Sequence, residues 1–150
     1  MKKVLYVMGF LAFVATALCL WIRLAPSDPA LWHVAIADQT PAKPGPCADQ
    51  IRTQANGARA TCLLADDPAT VLARLGAAAS TTARTTQLAA TDGMTTWITR
   101  SPLMGFPDYT TAQVRADPHG TRLDIHARQR FGASDLGVNT ARLKMWLTGF

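Results

Sequence analysis

Glutamate is absent from this chain of 150 residues. All 10 acidic side chains are aspartates, and arginine far outnumbers lysine among the 15 basic ones. That bias is compositional and points to no chemistry by itself. Also missing are a phosphate-binding glycine motif, a haem motif and a metal-binding helix motif. No nucleophile elbow is present. Cysteine is scarce, with 3 residues. Neither Cys47 nor Cys62 has His or Cys neighbours at the spacing of a four-ligand zinc site. No metal and no cofactor are therefore expected. Basic charge is thin where it would matter. Lys2, Lys3 and Arg23 flank one apolar run, and residues 25–150 then carry 12 basic against 10 acidic side chains, about +2. A nucleic-acid footprint needs basic residues clustered on one face, so nucleic acid is not an expected partner. There are no internal repeats and no disordered tail.

What the chain does have is a long apolar run at its start. Val4 to Ile22 is 19 residues without a charge. As a helix it spans about 28 Å, close to the hydrocarbon core of a bilayer. Tyr6 and Trp21 sit near its ends, where aromatic rings favour the interface. Lys2, Lys3 and the terminal amine outweigh Arg23, which keeps the N-terminus cytoplasmic and exports the rest. Ala15-Thr16-Ala17 fits a small-x-small cleavage pattern, so a signal peptide is the alternative. Cleavage there would leave Leu-Cys-Leu-Trp-Ile exposed, which favours an uncleaved anchor over residues 1–24. A lipoprotein reading of Cys19 fails on the bulk of Leu18 before it. The expected address is the bacterial inner membrane, single-pass, with the C-terminal domain in the periplasm.

From residue 25 to 46 the composition shifts, and five of the 9 prolines fall here. This reads as an extended, semi-rigid linker. Trp32 interrupts it and is expected to dock on the domain, with the membrane surface as the alternative; His33 is expected to be exposed. Cys47 and Cys62 flank a polar segment. In an oxidising compartment they would close a loop of about 15 residues, worth about 3 kcal/mol. Two free thiols are the alternative.

Residues 47–150 read as one α+β domain. Asp67-Pro68 opens a helix over about 68–79, with Asp67 as cap and Pro68 in the first turn. Asp92-Gly93 between threonine-rich runs marks a two-residue hairpin, pairing Leu88 with Trp97 on the core face. A third strand is expected over about 108–116, and a turn at Asp117 to Gly120. The fourth strand alternates, with Leu123, Ile125 and Ala127 on one face and Asp124, His126, Arg128 and Arg130 on the other. A helix over about 137–148 closes the chain, with Leu136, Val138, Leu143, Trp146 and Leu147 as its apolar side and Gly149 as its stop. The expected architecture is a two-layer sandwich of a four-stranded antiparallel sheet and two helices, behind an N-terminal transmembrane helix.

Two stretches carry a resemblance. Arg100-Ser-Pro-Leu-Met-Gly-Phe-Pro-Asp-Tyr109, and Arg128-Gln-Arg-Phe-Gly-Ala-Ser-Asp-Leu-Gly-Val-Asn139 with Arg142 one helical turn on, resemble the DUF1499 family over about residues 47–148. Members occur in bacteria and in plant chloroplasts. Where the family typically has Ser-Arg-Ser-Arg, this chain has Ala127-Arg128-Gln129-Arg130: both arginines match and the serines do not. The resemblance implies a shared fold and no activity, and it carries over no catalytic residue.

Arg100, His126, Arg128, Arg130 and Arg142 are the candidate ligand-binding residues. Converging guanidinium groups hold carboxylates and phosphates by two-point contacts. Backbone N–H groups from Gly132 to Val138 would add donors near a helix N-terminus. The competing reading is a structural network in which Asp108 and Asp135 pair with these arginines. Gly132, Ser134, Gly137 and Asn139 complete a structural loop, with Asp135 or Asn139 capping the last helix. The expected function is a non-catalytic binding or accessory module of the envelope, taking a small anionic ligand or a partner protein at an arginine-lined site. The alternative is a hydrolase acting on an envelope substrate through Ser134, His126 and Asp135.

Overall fold

The structure is a computed structural model that describes residues 2–37 and 40–150. The apolar run forms helix α1, Lys2–Leu24, long and apolar enough to cross a membrane. Its side chains are mostly exposed, as expected of a helix with no protein around it. A short helix α2, Pro29–Trp32, follows. Asp28 caps it by accepting from the Ala30 N–H at 2.9 Å, and Pro29 supplies the pre-set first turn. The remaining elements are a 3₁₀ turn, Cys47–Gln50, then β1 Arg52–Gln54, β2 Gly57–Leu64, α3 Pro68–Thr81, β3 Thr85–Thr91, β4 Met94–Arg100, β5 Pro107–Asp117, β6 Gly120–Gln129 and α4 Val138–Trp146.

The strands form one antiparallel sheet in the order β1-β2-β6-β5-β4-β3. Six strands replace the expected four. The extra pair, β1 and β2, turns at Ala55-Asn56 and lies along β6, with Arg59 opposite His126 and Cys62 opposite Leu123. Gly57 is required there, because a Cβ would fall 2.2 Å from the Ala127 carbonyl oxygen. Helix α3 then carries the chain across one face, from β2 to the far edge at β3. Asp67 caps α3 by accepting from the Ala69 and Thr70 N–H groups at 3.0 and 3.1 Å. Val71, Leu75 and Ala79, spaced by four, are its buried stripe. The Asp92-Gly93 hairpin forms as expected, but Trp97 pairs with Gln87, not Leu88. A β-bulge between Gln87 and Ala89 absorbs Leu88.

The core lies between the sheet and helices α3 and α4. Leu123, Ile125 and Ala127 of β6 supply one side, and Val71, Leu75, Leu143 and Leu147 the other. Trp97 and Trp146 meet edge to face at 5.5 Å, and the Trp146 indole N–H donates to Thr82 Oγ1 at 2.9 Å. Cys47 and Cys62 are disulfide-bonded inside this core, with Cα atoms 5.6 Å apart and no solvent exposure. Leu136 departs from the expected apolar face of α4. It sits before the helix, at φ 52°, and is 90% exposed.

The other sheet face is covered by the N-terminal segment, which was expected to be an extended spacer with only Trp32 docked on the domain. Residues 25–37 form a strap across it. Trp32 stacks on Tyr109 with ring centroids 3.9 Å apart and planes 9° from parallel. Thr91 and Thr96 hydroxyls bond the two ring nitrogens of His33 at 3.0 and 2.9 Å, and the Ile36 N–H donates to Gln113 Oε1 at 2.9 Å. His33, expected to be exposed, is thus a fastening of the strap.

Candidate functional site

The five candidate side chains do not converge. Strand alternation puts Asp108 on the helix-covered face and Tyr109 on the strapped face. Arg142, on α4, lies on the helix side and donates to Asp108 Oδ2 at 3.1 Å and to Asn139 Oδ1. This buried cluster ties α4 to β5. Burial raises the Asp108 carboxyl above its ordinary value, and the Arg142 charge only partly offsets that. Among the described residues Asp135 pairs with no arginine. Its carboxylate accepts from the Gly137 and Asn139 N–H groups at 3.1 and 3.0 Å, so Asp135 and not Asn139 caps the last helix. Ser134 Oγ accepts from the Leu136 N–H at 3.2 Å. Gly132 and Gly137 take φ of 98° and 81°, the left-handed region that glycine supplies freely. The N–H groups at this helix start are therefore satisfied from within, and the loop is a structural one.

His126, Arg128 and Arg130 lie under the strap. Arg128 donates to the Trp32 carbonyl at 2.7 Å and to Thr111 Oγ1 at 3.3 Å, with its guanidinium 5.5 Å from the Trp32 ring centroid. Arg130 reaches the Pro26 carbonyl at 2.7 Å and lies 5.0 Å over the Phe131 ring. Both arginines hold the strap by its main chain. Among the described residues neither has a carboxylate partner. Ser134 and Asp135 belong to the loop that opens α4, while His126 is on the opposite sheet face. The structure does not assemble these three as a triad.

Three arginines not singled out from the sequence complete the picture on this face. Asp124 is fully buried and holds Arg115 at 2.7 Å and Arg122 at 2.8 Å, with Thr61 Oγ1 donating at 2.9 Å. That carboxylate is used up by its own cluster. Next along the face, Arg59 from β2 stands opposite His126. Its Nε is buried without a hydrogen-bond partner. Arg59, His126 and Arg128 line a cleft of about 250 Å³ whose far wall is Val34 to Ala37 of the strap. Burial lowers the Arg128 guanidinium below its ordinary value, and the neighbouring charge of Arg59 lowers it further. Among the described residues neither Arg59 nor Arg128 has a carboxylate partner. The signal for Arg59 was the Ala55-Asn56 turn, which marks the start of β2.

Arg100 lies elsewhere. It donates to the Gly105 carbonyl at 3.0 Å, and its own carbonyl accepts from Arg84 Nε at 3.2 Å.

Architecture and site together define an α+β module behind an apolar N-terminal helix. Its sheet is covered by helices on one face and by its own strap on the other. Its cationic residues are sorted between a structural ion pair and a strapped cleft. The chain belongs to the DUF1499 family, proteins of unknown function, whose model matches residues 36–150. No curated protein and no solved structure matches the chain.

Proposed function

We propose that this chain is a single-pass protein of the bacterial inner membrane whose periplasmic domain binds a small anionic group in the Arg59–His126–Arg128 cleft, without catalysing a reaction. The observation that carries the reading is the pair of guanidiniums, Arg59 and Arg128, side by side and without a carboxylate partner among the described residues. A carboxylate or phosphate entering from solvent would meet forked donors. Export is supported by the positive flank at Lys2 and Lys3 and by the Cys47–Cys62 disulfide, which suits an oxidising compartment. The occupant is a small anionic ligand or the acidic side chain of an envelope partner.

The test is a thermal-shift titration of the full chain with inorganic phosphate and short dicarboxylates. At a ligand concentration a hundredfold above Kd, binding stabilises the folded state by about 2.7 kcal/mol. Arg59→Gln should abolish the shift. Equal shifts for wild type and Arg59→Gln would remove the cleft as the binding site.

A further inference from the structure

We infer that Arg23, Arg84 and Arg100 form a second anion site, one that takes the phosphate of an anionic phospholipid at the bilayer surface. This rests on the reading of α1 as a membrane anchor and goes beyond the strapped cleft. Arg23 closes α1, in its last turn. Its guanidinium donates to the Leu103 carbonyl at 2.7 Å. The backbone of Gly105 presses on the same side chain, so closely that a Cβ there would fall 2.7 Å from Arg23 Cγ. Cys19 Sγ meets Met104 Sδ at 3.5 Å, and Trp21 lies 5.9 Å from Phe131. The loop from Ser101 to Gly105 is thus fastened to the end of the apolar helix. Where that helix leaves a membrane, this loop is at the surface.

Three arginines meet there. Arg23, Arg84 and Arg100 line a cleft of about 380 Å³ with Ser101 and Thr86. Each donates to a main-chain carbonyl, of Leu103, Arg100 and Gly105 respectively. Those bonds fix the side chains and leave most of their N–H groups available. None has a carboxylate partner among the described residues. Beside the cleft, Leu103 is 82% exposed and Leu24 77% exposed. Apolar tips next to a cationic cleft, at the end of a spanning helix, match the two halves of a lipid: acyl chains against the leucines and phosphate against the guanidiniums. A free phosphate would use the arginines and leave the leucines without a role.

The experiment uses the full chain in detergent, exposed to mixed micelles of phosphatidylglycerol and phosphatidylcholine, with retained lipid counted by native mass spectrometry. Wild type should retain phosphatidylglycerol preferentially. Each of Arg84→Gln and Arg100→Gln should lower that preference roughly fivefold, the fold-change expected per cation at a membrane surface. Arg84→Lys should keep most of it, since charge is preserved; a variant that merely unfolds would not be rescued this way. Arg59→Gln, which tests the strapped cleft, should leave lipid retention unchanged. Lipid preference unaffected by the two glutamine variants would overturn the proposal. So would displacement of the lipid by equimolar glycerol 3-phosphate, which would assign the site to a soluble phosphate.

Discussion

Trp32→Ala should loosen the strap on the sheet while leaving the domain folded. Trp32 is half-buried, and its indole lies flat on the fully buried ring of Tyr109 at 3.9 Å. Truncating a fully buried Trp to Ala costs about 3–5 kcal/mol, so half-burial sets the loss at about 2 kcal/mol, stacking included. The main-chain bonds would survive, because the Trp32 carbonyl still accepts from Arg128 and the Ile36 N–H still donates to Gln113. The strap therefore opens more often without being lost. At 1.4 kcal/mol per tenfold, exchange of the Ile36 amide should speed up roughly 30-fold. Amides of the inner strands β5 and β6, such as those of Ala112 and Ile125, should change far less, because their exchange reports on the core beneath the sheet. Native-state hydrogen exchange measures both, and Trp32→Phe should restore most of the protection. An Ile36 amide within threefold of wild type in Trp32→Ala would refute the reasoning, and would mean that the strap is held by its main-chain bonds and by His33.

Two further outcomes follow from the core. Replacing both Cys47 and Cys62 by Ala should lower stability by about 3 kcal/mol, from a closed loop of about 15 residues. A denaturant titration of wild type in reductant should reproduce most of that loss. Asp108, held above the usual carboxylate range, binds its proton in the folded state before it does so in the unfolded chain. Its contribution to stability is therefore greatest below the ordinary value of 3.8 and falls as pH rises through the window from 3.8 to the raised folded value. Asp108→Asn should flatten that part of the pH–stability curve. Asp108→Ala, which leaves the buried Arg142 unpaired, should cost about 3–5 kcal/mol.

How far the sequence could be read depended on the size of the side chains carrying the pattern. Leu123, Ile125 and Ala127 alternate with charged residues, and β6 lies where that alternation placed it. Asp67-Pro68 and Asp92-Gly93 are local signals with local causes, and both elements start or turn there. Strand β2 alternates too, but through Ala58, Ala60 and Cys62, whose small side chains give little contrast with Arg59 and Thr61. Its place beside β6 is non-local: it depends on the α3 crossover, which no short window contains. Missing β2 hid Arg59, and so hid the companion of Arg128. The Leu88 bulge was invisible for another reason. A two-residue turn fixes register only as far as the first irregularity. The expected convergence of Arg142 with Arg128 failed because α4 packs on the Leu123 face, which puts the two guanidiniums on opposite sides of the sheet. Covering of the second face was a question the sequence left open. The answer came from the strap, a segment whose prolines suggested a spacer.

The family match begins at residue 36, inside the strap. A soluble fragment cut there would keep every strand of the sheet and helices α3 and α4. It would also lose Trp32 and His33, and with them the cover over Tyr109 and the bonds to Thr91 and Thr96. Freshly bared aromatic and branched residues on a sheet face invite self-association. Expression trials on this protein are therefore better begun at Ala25, just past the apolar helix. A fragment that starts at the family boundary would misreport both the solubility of the domain and the shape of its cleft.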